Sequence, residues 1–428
     1  MPIQWNELPA LQALPLEAKI DRAVEWMGKG FEVSKHAQSI AFSGGKDSTV
    51  LCDLQQRFFP NEQPFVIFGN TGVEYPESLK FAREYGREHY GARFIEATPA
   101  KLERDCLKYQ AQREVMEWLE RDGRIWEVLK EDGKLKRTLA IEEAATPEMW
   151  DDFRKRNLVW RKGTAKSYWF CIDQYGFPIL GKAACKLDAR RINIDCFLKY
   201  GKSESERQDL LDYYDLIRHV KISQHCCTTL KKEPAHRVQM ELGVDCVFMG
   251  MMASESRRRM ISYCSNGELY QTFKADTMAD GSPVWHCHPM GIWTDDDVWA
   301  YIRRYDVPIS TLYDVEYQGK DRKMHKIDRN GCFGCATSMA FADNQIYRLR
   351  QTHPKLWRLI MERGMAEQLR NLRIYRANGQ FSMLDVFSTE RLLEIRPCAF
   401  DSIDDVIMTE GLPTEYEADL EEDEEGSA

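Results

Sequence analysis

Residues 41–50 read Ala41-Phe42-Ser43-Gly44-Gly45-Lys46-Asp47-Ser48-Thr49-Val50, and they decide the fold. The run from Ser39 to Phe42 predicts a buried strand, and Ser48-Thr49-Val50-Leu51-Cys52-Asp53-Leu54 predicts the first turns of a helix. Two glycines, a lysine and an aspartate separate them, flanked by two serine hydroxyls. A strand entering a helix through such a loop aims backbone N–H groups and the positive helix end at one point, where a phosphate binds. Glycine suits the loop because a Cβ blocks close approach and disfavours unusual φ/ψ. The spacing differs from a Walker A loop, which puts four residues between its glycines before Lys and Ser or Thr. A plain Gly-Gly turn opening a helix is the competing reading.

Outward from the loop, apolar residues at helical spacing (Ile20, Ala23, Val24, Met27) predict a helix from Leu16 to Lys35. Pro64–Gly69 reads as a second strand ending in Asn70-Thr71-Gly72, with a helix following through Tyr90. Arg93–Ala97 is a short third strand. This alternation predicts an α/β fold: a doubly wound, mainly parallel sheet whose ligands sit at the carboxyl ends of its strands. Residues 100–165, rich in Glu, Lys, Arg and Trp, predict a helical insertion. A helix from Thr228 to Leu242 and a strand from Asp245 to Gly250 resume the pattern, and Thr294 is placed to cap a helix. Residues 340–395 read as further helices. The expected organisation is 1–99 and 176–340 as two parts of one α/β domain, 100–175 as the insertion, 341–410 as a helical C-terminal region and 411–428 as a disordered acidic tail.

The formal net charge of −9 comes mostly from that tail, since eight acids stand within residues 415–425. The remaining body is close to neutral, which neither requires nor excludes a nucleic-acid partner. No apolar run approaches the length of a membrane span, and residues 1–7 lack the basic and apolar regions of a signal peptide. A cytoplasmic protein without a membrane partner is expected.

Thirteen cysteines in such a chain argue against a disulfide framework. Cys226-Cys227 and Cys332-Phe333-Gly334-Cys335 offer four soft metal ligands. Adjacent cysteines diverge and make a poor zinc knuckle, whereas a wider [4Fe–4S] cubane accepts them. Structural zinc and scattered structural cysteines remain the alternatives.

Several segments carry a resemblance to a known family. Cys226-Cys227-Thr228-Thr229-Leu230-Lys231-Lys232-Glu233-Pro234 and Gly331-Cys332-Phe333-Gly334-Cys335 resemble the cluster motif of assimilatory adenylyl-sulfate reductases. Gly250-Met251-Met252-Ala253-Ser254-Glu255-Ser256-Arg257-Arg258-Arg259 is similar to that family's Gly-x-Arg-x-x-Glu-Ser-x-x-Arg element, with Met252 replacing the first arginine. His288–Trp293 and Asp297–Ile302 resemble its Trp-containing element, and Asn70-Thr71-Gly72 stands where relatives carry Asp-Thr-Gly. The chain is thereby identified as a member of the phosphoadenosine-phosphosulfate reductase family within the PP-loop pyrophosphatase superfamily. An adenine nucleotide alpha hydrolase-like fold is implied. Two features depart from the reductases: Ser43-Gly44-Gly45-Lys46-Asp47-Ser48 is the full ATP-type loop, and no cysteine occupies the acidic tail. The last thiol, Cys398, does not match the family's catalytic segment.

The resemblance implies ATP, Mg2+ and a [4Fe–4S] cluster as cofactors, the cluster held by Cys226, Cys227, Cys332 and Cys335. Lys46, Asp47, Arg257 and Arg259 are the expected catalytic residues. Nucleotide binding falls to Ser43, Gly44, Gly45, Lys46, Asp47, Ser48, Asn70, Thr71, Gly72, Gly250, Glu255 and Ser256. Lys46 and the loop hydroxyls would stabilise departing pyrophosphate, Asp47 would hold Mg2+ through water, and the arginines would clamp the α-phosphate. Asp47 as a simple helix cap and the arginines as a solvated basic turn are the bland alternatives. His286 and His288 are assigned to substrate contact or packing. Three functions compete: ATP-dependent adenylation of an acceptor for sulfur transfer, a thiol-dependent sulfonucleotide reductase, and a non-enzymatic regulator. Expected partners are an adenine nucleotide, a sulfur donor protein or thiol reductant, a nucleic-acid acceptor, and identical copies in a homo-oligomer.

Overall fold

The computed structural model describes residues 3–179, 189–208, 220–337 and 344–377. Its chain divides into two compact units. The first comprises Met1–Pro99, Leu230–Val315 and Lys326–Gly331. Its six strands are β1 (Ala37–Phe42), β2 (Phe65–Gly69), β3 (Phe94–Ala97), β4 (Val244–Met249), β5 (Leu269–Thr277) and β6 (Pro283–Cys287), in the order β3-β2-β1-β4-β6-β5. All neighbours run parallel except the β5–β6 pair. The chain winds outward from β1 through β2 to β3, then returns to the other side of β1 as β4. Strand order therefore reverses between β1 and β4, where open α/β sheets bind their ligands.

Helices α1 (Leu16–Val33), α2 (Lys46–Phe58), α3 (Pro76–Tyr90), α4 (Glu233–Glu241), α5 (Arg257–Asn266) and α6 (Asp295–Tyr305) accompany the sheet. Ile20, Ala23 and Met27 of α1 recur at helical spacing and are buried in one core with Ile40 and Phe42 of β1 and Val50, Leu51 and Leu54 of α2. Fully burying such a side chain contributes about 1.5–3 kcal/mol. Asp297 both closes a capping box with Thr294 and pairs with buried Lys19 of α1 at 2.5 Å. Trp293 Nε1 donates to the Lys19 carbonyl at 3.3 Å. Together these contacts fix where α6 begins.

His288 packs rather than binding metal. Its ring stacks on Tyr270, with centroids 5.6 Å apart, and its Nδ1 has no hydrogen-bond partner among the described residues. Burial, then His286 and Arg259, lower its pKa to about 3 from the ordinary 6.5. The native imidazole thus stays neutral where the unfolded one takes up a proton, so stability falls as pH drops from about 6.5 toward about 3. The unfolding temperature of the wild type is expected to fall more steeply than that of His288→Phe between about pH 6.5 and 4.5. Equal slopes would contradict this assignment.

The second unit comprises Ala100–Thr229, Glu316–His325 and Cys332–Ala428. Its core joins Leu107, Val115, Leu119, Ile141 and Phe153 to Ile192 and Cys196. In this division the unit continues through Thr229, beyond the expected limit of the insertion at 175. Phe177 bridges to Ile222, and Ile179 bridges to Ala336. Segment 176–229 and the second cysteine pair are grouped with this unit by their contacts. The helix expected from Thr228 is also modified, because Thr228–Lys232 forms a π-helical turn before α4. Cys398, the acidic tail and the rest of the expected C-terminal helical region beyond residue 377 lie outside the described residues. Among the described residues no helix is long and apolar enough to cross a membrane.

Candidate functional site

A cavity of about 690 Å³ opens at the carboxyl ends of β1 and β4, within the range typical of small-molecule sites. Its lining includes Ser43, Gly45, Lys46, Asp47 and Ser48 from the loop, and Gly250, Glu255 and Arg259 from the segment after β4. The two sequence motifs, about two hundred positions apart, thus form one wall because β1 and β4 are neighbours.

Loop geometry follows from its residues. Gly44 has φ +70°, and a Cβ there would lie 2.9 Å from the Ala82 Cβ and 3.2 Å from the Ser78 carbonyl. A side chain at this position is excluded by conformation and by space. Gly250 lets the end of β4 approach the loop, since its Cβ would stand 3.0 Å from the Asp47 carbonyl oxygen. Ser48 Oγ donates to the Gly45 carbonyl at 2.9 Å and accepts from Ser43 N at 3.2 Å. Gly45 N donates to Ser43 Oγ at 3.2 Å, and Lys46 N donates to the Tyr313 hydroxyl at 2.9 Å. Hydroxyls therefore satisfy the amides of Ser43, Gly45 and Lys46, and a phosphate oxygen is the same kind of acceptor.

Lys46 is the electrostatic centre of this wall. Its side chain is 4 % exposed, and its Nζ lies 2.6 Å from Asp295 Oδ1 and 3.1 Å from Asp47 Oδ1. Burial pulls the ammonium pKa down, but the two carboxylates outweigh it and hold the pKa above its ordinary value. Burial pushes the Tyr313 phenol up to about 12, so it stays protonated. Glu255 pairs with Arg259, and Arg329 lies 3.4 Å from the same carboxylate. Asn330 Nδ2 donates to the Ser43 carbonyl at 3.2 Å. The cationic lining residues Lys46, Lys231, Arg259 and Arg329 face the acids Asp47, Glu255, Asp295 and Asp328.

The other expected residues are placed differently. Gly44 shapes the loop from behind and is not part of the lining. Ser256 caps α5 by accepting from Arg259 N at 3.3 Å, and Arg257 is the exposed first residue of that helix. Asn70-Thr71-Gly72 follows β2 and closes on itself: Thr71 N and Gly72 N both donate to Glu74 at 3.0 Å, and Asn70 Nδ2 donates to Glu96 at 3.0 Å. None of these three residues lines the cavity. Sequence reasoning missed Asp295, Tyr313, Asp328, Arg329 and Asn330. Asp295 had a usable signal, an acid in the first turn of a helix belonging to the matched Trp-containing element. Tyr313 had none.

Cys226, Cys227, Cys332 and Cys335 all belong to the second unit. The second pair forms a turn, with Cys335 N donating to the Cys332 carbonyl at 3.1 Å. Tyr168 packs on it and donates to the Gly334 carbonyl at 2.5 Å. Burial raises the Tyr168 phenol pKa, and Cys226, Cys335 and Cys332 add to the rise, which puts both cysteine pairs in its neighbourhood. The Cys226 thiol is raised by its hydrogen bond with Cys227 and by burial. Four thiols in one neighbourhood are the donor chemistry of an iron–sulfur or zinc site. Among the described residues no three cysteine, histidine or acidic side chains converge as they would round a metal ion.

A family model described as the phosphoadenosine phosphosulfate reductase domain matches residues 37–145 and 174–338. Over 114 residues the chain is 24 % identical to the adenosine 5′-phosphosulfate reductase of Burkholderia cepacia. That match covers 25 % of this chain and 40 % of the relative, so the chain spans less than half of that relative's length. A crystal structure of phosphoadenylyl-sulfate reductase from Candida auris, a phosphate complex, is similar with a TM-score of 0.33 at 12 % identity, over 77 % of this chain and 99 % of the other. Candida glabrata FMN adenylyltransferase with FMN and an ATP analogue gives 0.30 at 9 %, over 76 % and 72 %. Both structural likenesses are too slight to carry an argument.

Proposed function

Because this chain belongs to the phosphoadenosine phosphosulfate reductase domain family, we propose that it is a PP-loop enzyme that binds ATP with Mg2+ and releases pyrophosphate while adenylating an acceptor for sulfur transfer. The observation that carries this reading is the complete Ser43-Gly44-Gly45-Lys46-Asp47-Ser48 loop at the point of strand-order reversal, with Lys46 and Asp47 both in the cavity wall. In the reaction the acceptor's nucleophilic atom bonds to the α-phosphorus as the bond from that phosphorus to the bridging oxygen breaks. The electron pair leaves with pyrophosphate, whose growing charge Lys46 and the loop amides neutralise. Asp47 would hold the Mg2+ that accompanies ATP. Arg259 clamps the α-phosphate, a role that Arg257, outside the lining, does not share. A sulfur nucleophile then displaces AMP from the activated acceptor.

Cys226, Cys227, Cys332 and Cys335 are the residues that would hold a [4Fe–4S] cluster. When bound, a cluster with all four irons held by these thiolates would supply electron storage. A nucleic acid is one acceptor class this reading accommodates, with a sulfur donor protein or thiol as second partner, in the cytoplasm and as a homo-oligomer. The test is pyrophosphate release when purified protein meets ATP, Mg2+ and nucleic-acid acceptors. Release that depends on acceptor is expected; none with any acceptor would overturn the reading.

The similarity to the Burkholderia cepacia enzyme favours one second reading, a thiol-dependent sulfonucleotide reductase. It consumes sulfonucleotide and a thiol reductant and yields sulfite, whereas the first reading consumes ATP.

A further inference from the structure

Lys46 is gripped at both ends by residues that the nucleotide reading does not use. Asp295 Oδ1 lies 2.6 Å from the ammonium, and Trp299 Nε1 donates to Asp295 Oδ2 at 3.1 Å. The Trp299 and Tyr313 rings meet edge to face with centroids 5.7 Å apart, and the Tyr313 hydroxyl accepts from Lys46 N at 2.9 Å. Asp295, Trp299 and Tyr313 thus close a ring of contacts that begins at the Lys46 side chain and ends at its backbone.

With Asp47 also present, two carboxylates face one ammonium where a ligand's phosphates would arrive. A polyanion entering there meets a local excess of negative charge, and Lys46 is not available to it until one carboxylate yields. Asp47 is 25 % exposed and next to Lys46 in sequence, whereas Asp295 is 57 % exposed. Asp295 is therefore the carboxylate that turns to water at small cost. It also stands in the first turn of α6, whose N-terminal dipole stabilises an acid without Lys46.

We propose that Asp295 is a charge latch: it pairs with Lys46 in the cavity wall and competes with phosphate for it. This rests on the nucleotide reading. The latch keeps a buried ammonium paired, and it weakens phosphate binding by the strength of the pair it must break.

The experiment is calorimetric binding of inorganic pyrophosphate to the full chain in EDTA at low salt. Asp295→Asn keeps an acceptor for Trp299 but removes the charge, and it is expected to bind about three- to fivefold tighter than wild type. Asp295→Glu restores the charge and is expected within about twofold of wild type, and Asp296→Asn is expected to match wild type. The gap between Asp295→Asn and wild type should narrow as salt screens the exposed carboxylate. Binding by folded Asp295→Asn that is equal to or weaker than wild type would overturn the latch. No binding by wild type, or equal binding by Lys46→Ala, would instead overturn the nucleotide reading and the latch with it.

Discussion

Lys46→Ala is expected to lower acceptor-dependent pyrophosphate release by about 10²- to 10³-fold, the usual loss when one preorganised charge on a developing anion is removed. Nucleotide affinity should fall as well. The substitution leaves Asp47 and Asp295 facing the phosphates without the ammonium that each now approaches, at 3.1 and 2.6 Å. The fold should survive, because the contact from residue 46 to Tyr313 is made by the backbone N–H and persists in alanine. Circular dichroism and a pyrophosphate-release assay on the same preparation check both halves. Undiminished release from a folded Lys46→Ala would remove the loop from the chemistry.

The second large effect concerns the cysteines. Under the proposed cluster assignment, wild type purified without oxygen is expected to contain iron and acid-labile sulfide, and Cys226→Ser and Cys335→Ser are each expected to lose nearly all of both, because thiolates are the ligands such clusters require. Cys246→Ala is the control. Its thiol is buried within β4, and burial raises it to about 12, so it serves as a small core side chain. It should keep the full iron content. Equal iron and sulfide in all four proteins would contradict the ligand assignment. Stoichiometric zinc without sulfide would replace the cluster by a structural metal.

How far the sequence revealed these features differs sharply between elements. β1, its glycine loop and α2 were legible because each signal is local: an apolar run, two adjacent glycines and a helical continuation lie within twenty residues. The parallel sheet was legible from the strand–helix alternation. The β5–β6 hairpin at the sheet edge was not read. Its strands mix polar and apolar residues, and a side pairing only with its neighbour leaves little periodic signal. The contacts of 176–229 with the inserted unit carry no local signal because they are tertiary, namely the pairing of Phe177 with Ile222 and the burial of Ile192 and Cys196 with Leu107 and Val115.

The site shows the same division. Ser43, Lys46, Asp47 and Ser48 announce themselves by spacing, and Glu255 and Arg259 by resemblance. Tyr313 contacts Lys46 across 267 positions, and nothing in Ser310-Thr311-Leu312-Tyr313 marks it beforehand. The triplet after β2 shows a different pattern. Asn70-Thr71-Gly72 has the composition of a ligand loop, yet the Glu74 and Glu96 carboxylates already take its donors. His286 and His288 carried an ambiguous signal that burial and ring stacking resolve as packing for His288.

The proposed function requires that this cavity bind ATP. Its most direct test is equilibrium binding of ATP with Mg2+ against adenylyl sulfate and its 3′-phosphorylated form, measured side by side on anaerobically purified protein. Tighter binding of ATP, lost in Lys46→Ala, is the predicted result. Tight binding of a sulfonucleotide with no measurable affinity for ATP would contradict it.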